Sequence, residues 1–169
     1  KVDVSWSSDC RPLAAFTAWV AEHRGVDAAD YAALHAWSVR DLEGFWSAVA
    51  EFLGVRFRTE PTAVLGSREM PGAQWFPGST LNYAEHALTP GPGREDDDVA
   101  VLFAREDGLE RTVTHAELRD AVGRARAGLV RAGVGVGDRV VALAPNSVET
   151  LVAFLAAASL GAIWSSCSP

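Results

Sequence analysis

Lysine is almost absent from this sequence of 169 residues: of its 15 basic side chains only Lys1 is a lysine, and the others are arginines. Any chemistry that needs an internal lysine is therefore excluded from this chain. Acidic residues outnumber basic ones by 22 to 15, which leaves a net charge of −7. Because proteins that bind nucleic acids normally present a basic face to the phosphates, no nucleic-acid partner is expected.

Cysteines and long apolar runs are also scarce. Cys10 and Cys167 lie near opposite ends of the chain. A disulfide between them is compatible with the sequence, but two cysteines do not make the framework of a small secreted fold. No run of about 18 apolar residues and no polybasic cluster occurs, so no membrane partner is predicted. The first residues carry no signal-peptide core, and we expect a cytoplasmic protein.

Motifs for metal binding and nucleophilic catalysis are missing too. The histidines and cysteines form none of the close pairs typical of metal sites, so no metal site is predicted. Residues 133–138 are glycine-rich, but they follow a predicted helix and precede a strand, the reverse of a phosphate-binding loop. No G-x-S-x-G motif occurs and no base can be assigned to Cys167, so no catalytic residue is predicted. His115 is expected at the surface.

The first part of the chain reads as helical. An apolar stripe after Pro12 predicts a first helix that Gly25 ends, and a second helix is predicted from Asp41 to Leu53. The stripe of the first helix is Leu13, Phe16, Trp19 and Val20, and that of the second is Leu42, Phe45, Trp46, Val49 and Leu53. Prolines and glycines then predict irregular backbone over residues 61–81, anchored by Trp75 and Phe76.

A short helix is predicted from Asn82 to Leu88, and the acidic run at residues 95–98 is interpreted as a solvated loop. From Val99 the pattern changes. Residues 99–103 predict a buried strand, Asp107-Gly108 a hairpin turn, and residues 109–113 the returning strand. Thr114 with Glu117 forms the sequence signature of a capping box at the start of a helix.

The end of the chain predicts a βαβ unit with a parallel sheet, so the fold class is α/β. A strand at residues 140–144 is followed by a helix capped at Asn146 and by a strand that begins at Ala162. Ligands of open α/β sheets bind at the carboxyl edge, where residues 165–168 bring hydroxyls and a thiol. These residues are either a ligand-lining segment or a polar exit from the strand.

Residues 99–169 resemble the start of the adenylate-forming superfamily, which includes acyl-CoA synthetases and luciferases. The matching segments are Thr114-His115-Ala116-Glu117-Leu118, residues 133–142, Pro145-Asn146 and Gly161-Ala162-Ile163. Residues 34–39, 45–46 and 75–85 resemble the N-terminal extension of the acetyl-CoA synthetase-like branch. The resemblance implies an extension over residues 1–81 and the incomplete beginning of an AMP-binding large domain over residues 82–169.

The same resemblance implies a two-step ligase that uses ATP, CoA and Mg²⁺ to activate a small carboxylate. The Leu-Asn-Tyr-Ala-Glu form of residues 81–85, together with residues 164–169, is most similar to the ligases that act on acetoacetate; ligases for acetate or propionate are the alternative. The family's phosphate loop, acidic motif, hinge and C-terminal lysine are not found in this sequence. We therefore expect an N-terminal fragment that is inactive alone, binds these cofactors weakly, and has the remainder of its enzyme as its partner.

By position, Trp164, Ser165, Ser166 and Cys167 align with a segment that lies near the pantetheine arm of CoA in acetyl-CoA synthetases. That segment is glycine-rich in those enzymes and is not in this chain. Two other classes of protein fit the sequence less well. A nucleotide-dependent oxidoreductase is disfavoured because Pro145-Asn146, rather than a glycine fingerprint, follows the strand. A freestanding interaction module is disfavoured because the parallel sheet is unfinished, and we expect residues 99–169 to expose apolar surface.

Overall fold

Helices dominate the first half of the chain, and helices alternate with strands in the second. A computed structural model describes residues 11–28, 30–91 and 93–169. The disulfide considered between Cys10 and Cys167 is not tested, because Cys10 lies outside these ranges. The helices are α1 Arg11–Arg24, α2 Tyr31–Arg40, α3 Leu42–Phe52, α4 Tyr83–Ala87, α5 His115–Arg131 and α6 Val148–Ser159. The strands are β1 Leu65–Ser67, β2 Gln74–Trp75, β3 Val99–Ala104, β4 Glu110–Thr114, β5 Arg139–Leu143 and β6 Ile163–Cys167.

Two compact units make up the chain, Lys1–Thr80 and Leu81–Pro169. In the first unit, α1, α2 and α3 pack around an aromatic core. The ring of Phe16 lies 6.0 Å from that of Phe45 and 5.2 Å from that of Phe52, and Val20 and Ala48 are fully buried. Helix α1 ends before Gly25, whose φ of +64° suits a helix terminus, so the first predicted helix is confirmed.

The second predicted helix is confirmed as α3, with Asp41 as its N-cap. Its predicted apolar stripe is wrong in two places, because Trp46 and Leu53 are 41% and 57% exposed while Ala48 takes the buried position. Sequence reasoning missed α2, which Asp30 caps by accepting a hydrogen bond from the Ala33 N–H at 2.8 Å.

Short strands interrupt the irregular segment between α3 and α4. β1 and β2 pair antiparallel, and the ring of Trp75 lies 5.6 Å from that of Trp46. Phe76 adopts a φ of +46°, and its ring lies 5.3 Å from that of Phe57. Trp75 and Phe76 thus both make aromatic contacts, but Trp75 remains 41% exposed and only Phe76 is half-buried.

The core of the second unit lies between α4, α5, α6 and the β3–β4 hairpin. Its buried residues are Ala84, Val113, Leu118, Val122, Val148, Leu155 and Ala156. The capping box of Thr114 and Glu117 is present in full, which confirms that prediction. The strand predicted at residues 99–103 is confirmed as β3, but its predicted burial is only partial. Leu102 is 79% exposed, because only one face of the hairpin packs against this core.

His115 is also not where the sequence predicted it. It is 9% exposed, and neither ring nitrogen has a hydrogen-bond partner among the described residues. The acidic loop folds over the start of α5, because the N–H of His115 donates to the carbonyl oxygen of Asp98 at 3.1 Å. Arg119 holds the same loop through a bidentate ion pair with Asp96. Part of the acidic run therefore fixes the loop to α5.

The βαβ unit is confirmed as β5–α6–β6. β5 and β6 pair in parallel, in continuous register from Arg139↔Ile163 to Leu143↔Cys167. The helix cap is Ser147, which accepts from the Thr150 N–H at 3.3 Å, rather than the predicted Asn146. None of the described helices is long and apolar enough to cross a membrane. The fold class is α/β, as predicted.

Candidate functional site

The four predicted site residues all lie on β6, but on two different faces of the sheet. Side chains alternate along a strand, so Trp164 and Ser166 point to one face and Ser165 and Cys167 to the other. The structure therefore does not bring all four side chains onto a single wall.

The face toward α6 carries a connected pair. Trp164 is half-buried, and its ring centroid lies 5.9 Å from that of Phe154 on α6. The indole Nε1 of Trp164 donates to the hydroxyl of Ser166 at 3.3 Å. Ser166 is exposed, so its hydroxyl keeps free capacity to donate to a ligand oxygen while it accepts from the indole.

The opposite face is apolar and exposed. In the parallel register, Val141 is paired with Ser165 and Leu143 with Cys167, and paired residues share a face. Val141 and Leu143 are 74% and 72% exposed, and Ile163 on β6 is 55% exposed. This outer face is defined by Val141, Leu143, Ile163, Ser165 and Cys167, and its exposed apolar side chains agree with the apolar surface expected for residues 99–169.

A separate groove of about 370 Å³ lies between α5, α6 and the end of β4. Its apolar floor includes Val113 and Val148, which are 3% and 5% exposed. Its two arginines are already paired: Arg111 with Glu149 at 2.9 Å, and Arg124 with Asp120. Sequence reasoning missed this groove because its walls are about 40 residues apart, and its paired cations make it a poor site for a phosphate.

Two carboxyl groups in this unit have a lowered pKa. Hydrogen bonding to Arg119 lowers the pKa of Asp96, and the backbone N–H and the Ser147 hydroxyl lower the pKa of Glu149. Both shifts favour the ionised form of the carboxyl group. Within the described part of the chain, no three His, Cys, Asp or Glu side chains converge on a point where a metal ion could bind.

Two families account for most of the chain. Residues 31–87 match the family described as acetyl-coenzyme A synthetase N-terminus, and residues 91–169 match the family described as AMP-binding enzyme. The resemblance to adenylate-forming enzymes of the acetyl-CoA synthetase type is thereby confirmed.

Within that class the similarity is to acetoacetyl-CoA synthetases. The chain is 42% identical over 158 residues to acetoacetyl-coenzyme A synthetase of Rhizobium meliloti (strain 1021), and 39% identical over 173 residues to acetoacetyl-CoA synthetase of Gallus gallus. These matches cover 94% and 98% of this chain, but 24% and 25% of those proteins.

A solved structure agrees with these relatives. Acetoacetyl-CoA synthetase from Streptomyces lividans matches 92% of this chain with 51% identity and a TM-score of 0.81, over 24% of its own length. The chain is thus homologous to acetoacetyl-CoA synthetases over most of its length and spans about a quarter of theirs.

Proposed function

We propose that this chain forms the N-terminal part of an acetoacetate–CoA ligase. In the first step a carboxylate oxygen of acetoacetate attacks the α-phosphorus of ATP, and pyrophosphate leaves. In the second step the CoA thiol attacks the carbonyl carbon of the adenylate, and AMP leaves. The observation that carries the proposal is the 51% identity to the Streptomyces lividans enzyme over 92% of this chain.

The two parts proposed for the chain are an N-terminal extension over residues 1–81 and the beginning of the AMP-binding domain over residues 82–169. The separation of the chain into units after Thr80 supports this division. The family matches to residues 31–87 and 91–169 support the order of the two parts.

ATP and Mg²⁺ would be bound outside this chain. Several of its described arginines are held in ion pairs, among them Arg24, Arg105, Arg111, Arg119 and Arg124. No group of acidic side chains offers a Mg²⁺ site in the described ranges. We therefore assign no step of adenylation to these residues. The remainder of the enzyme is the partner that supplies the catalytic groups, in a ligase that we expect in the cytoplasm.

CoA is the one cofactor whose chemistry the residues present fit. The pantetheine arm carries two amide groups, and on one face of β6 Trp164 and Ser166 offer an apolar ring beside a hydroxyl. Ser165 and Cys167 would contribute to the CoA channel only from the opposite face. We propose that β6 forms one wall of the CoA channel, with Trp164 and Ser166 as the contacts.

A substitution of Ser166 tests this wall in the whole ligase. Ser166→Trp would fill the space beside the indole, so KM for CoA is expected to rise while the adenylation half-reaction stays unchanged. Arg126→Trp, at an exposed position of α5, is the control for adding an indole to the surface. Unchanged CoA kinetics in Ser166→Trp would refute the assignment.

Two measurements test the function itself. The intact mass of the purified protein tells whether a chain near 18 kDa or a protein several times larger is present. ATP–pyrophosphate exchange is then measured with acetoacetate, acetate and propionate in turn. Faster exchange with acetoacetate supports the proposal, and faster exchange with acetate or propionate would favour the alternative ligases. A complete protein near 18 kDa without exchange would favour a non-catalytic interaction module.

A further inference from the structure

Asn82 joins two helices that are distant in the sequence. Its side-chain oxygen accepts from the Glu85 N–H at 3.2 Å and so caps α4. Its side-chain nitrogen donates to the carbonyl oxygens of Ala158 and Ser159, at 3.2 and 3.4 Å. One amide group therefore caps the beginning of α4 and the end of α6 at once.

The carbonyls that Asn82 reaches lie just before the site strand. The last carbonyls of a helix have no partner inside the helix, so an outside donor there fixes how the helix ends. After Ser159, the Ala162 N–H returns to the carbonyl of Ala157 at 3.1 Å, and the Ile163 N–H donates to Asp138 at 2.7 Å as β6 begins. Asn82 thus holds the turn that delivers β6.

A second connection runs through aromatic rings. Tyr83, the first residue of α4, has its ring 5.8 Å from that of Phe154 on α6. Phe154 in turn lies 5.9 Å from Trp164. The start of α4 is therefore connected to the site strand through α6 by two independent routes, one through backbone carbonyls and one through tilted aromatic rings.

We propose that Asn82 and Tyr83 are positioning residues that hold Trp164 and Ser166 for the pantetheine arm of CoA. The inference rests on the proposed function, since it gives β6 the role of CoA wall. Neither residue touches CoA; each acts through α6. Their loss lowers affinity for CoA, and it leaves adenylation intact because ATP and the carboxylate are bound elsewhere.

The amide of Asn82 is required for a chemical reason. Aspartate caps a helix as well as asparagine does, so Asn82→Asp preserves the cap of α4. A carboxylate has no N–H to donate, however, and it places negative charge beside the carbonyls at the negative end of the α6 dipole. Asn82→Ser also keeps a cap and removes the donors, without adding charge.

The experiment measures both half-reactions of the whole ligase. In Asn82→Asp, KM for CoA is expected to rise about two- to tenfold, the factor that corresponds to one lost hydrogen bond, with ATP–pyrophosphate exchange unchanged. Tyr83→Ala is expected to raise KM for CoA in the same way, and Tyr83→Phe, which keeps the ring, is expected to restore it.

The stability control is Asp30→Ala, which removes the cap of α2 in the other unit and should leave KM for CoA unchanged. If Asn82→Asp does not fold, Asn82→Ser takes its place. Amide hydrogen exchange at Ala162 and Ile163 tests the connection without any ligase assay, and it is expected to quicken in Asn82→Ser.

Three results would overturn the inference: unchanged KM for CoA, an equal loss of exchange and ligation, or unchanged amide exchange at these two residues. A failure of the proposed function is distinct, because it would appear in the unsubstituted enzyme as a lack of acetoacetate-dependent exchange.

Discussion

Replacing Gly44 by alanine should destabilise the first unit, although the same change stabilises most helices. Gly44 lies in the first turn of α3, and its N–H donates to Oδ1 of Asp41 at 3.0 Å. A Cβ at position 44 would lie 2.8 Å from Cγ of Asp41, too close for two carbon atoms. The carboxylate must therefore leave the cap.

Three contributions to the free energy of unfolding decide whether Gly44→Ala stabilises or destabilises the protein. Alanine in place of a glycine inside a helix stabilises the folded state by about 0.5–1 kcal/mol. Against this, losing an Asp cap costs about 1 kcal/mol. Oδ2 of Asp41 also accepts from the indole Nε1 of Trp37 at 3.3 Å, and leaving that donor unpaired costs about 1–3 kcal/mol, because Trp37 is only 3% exposed. The net effect is a destabilisation of about 1–3.5 kcal/mol.

Urea denaturation followed by tryptophan fluorescence measures this effect, since five of the six tryptophans lie in the first unit. Gly44→Ala is expected to lower the urea midpoint by about 0.5–1.7 M. In an Asp41→Ala background the clash is gone, so the same substitution should stabilise the protein. Gly123→Ala in α5, where a Cβ meets open space, is the control for the ordinary gain. A stabilised Gly44→Ala would refute the reasoning.

Three further predictions concern the second unit. Because Arg119 lowers the pKa of Asp96, their ion pair stabilises the fold at neutral pH. This contribution is lost as the pH falls below 3.8, the ordinary pKa of an aspartate. Asp96→Asn should therefore make the denaturation midpoint less sensitive to acid. His115→Leu should raise stability by about 1 kcal/mol, because it removes two buried unpaired nitrogens, and a lower Tm would contradict this. Val141→Lys should reduce self-association of the chain, measured by light scattering, because Val141 lies on the exposed outer face. Unchanged self-association would show that another surface mediates it.

Local features of the fold could be predicted from the sequence. The capping box of Thr114 and Glu117 and the cap at Asp41 depend on residues three positions apart. The choice of Ser147 over Asn146 shows the limit of such reasoning, because adjacent residues with equal capping ability cannot be separated by pattern alone.

Features set by distant contacts could not be predicted. His115 lies next to a cap and would be solvated on an isolated helix, but the loop at Asp96 and Asp98 covers the start of α5. Leu102 was expected to be buried because β3 is apolar throughout, yet only one face of its hairpin packs against the core. The division of the site between two faces follows from strand alternation and was available in the sequence once β6 was placed.

Because the side chains of β6 alternate between two faces, this one strand can report on both faces of the sheet. Trp164 is the single tryptophan of residues 81–169, and it faces α6, so its quenching by a bound molecule would register events on that side. The exposed thiol of Cys167 points the opposite way, so its rate of labelling by a maleimide would register whatever covers the sheet from outside. In a variant that keeps Trp164 as its one tryptophan and Cys167 as its one cysteine, ligand binding and assembly can thus be read independently from nearby positions of one strand.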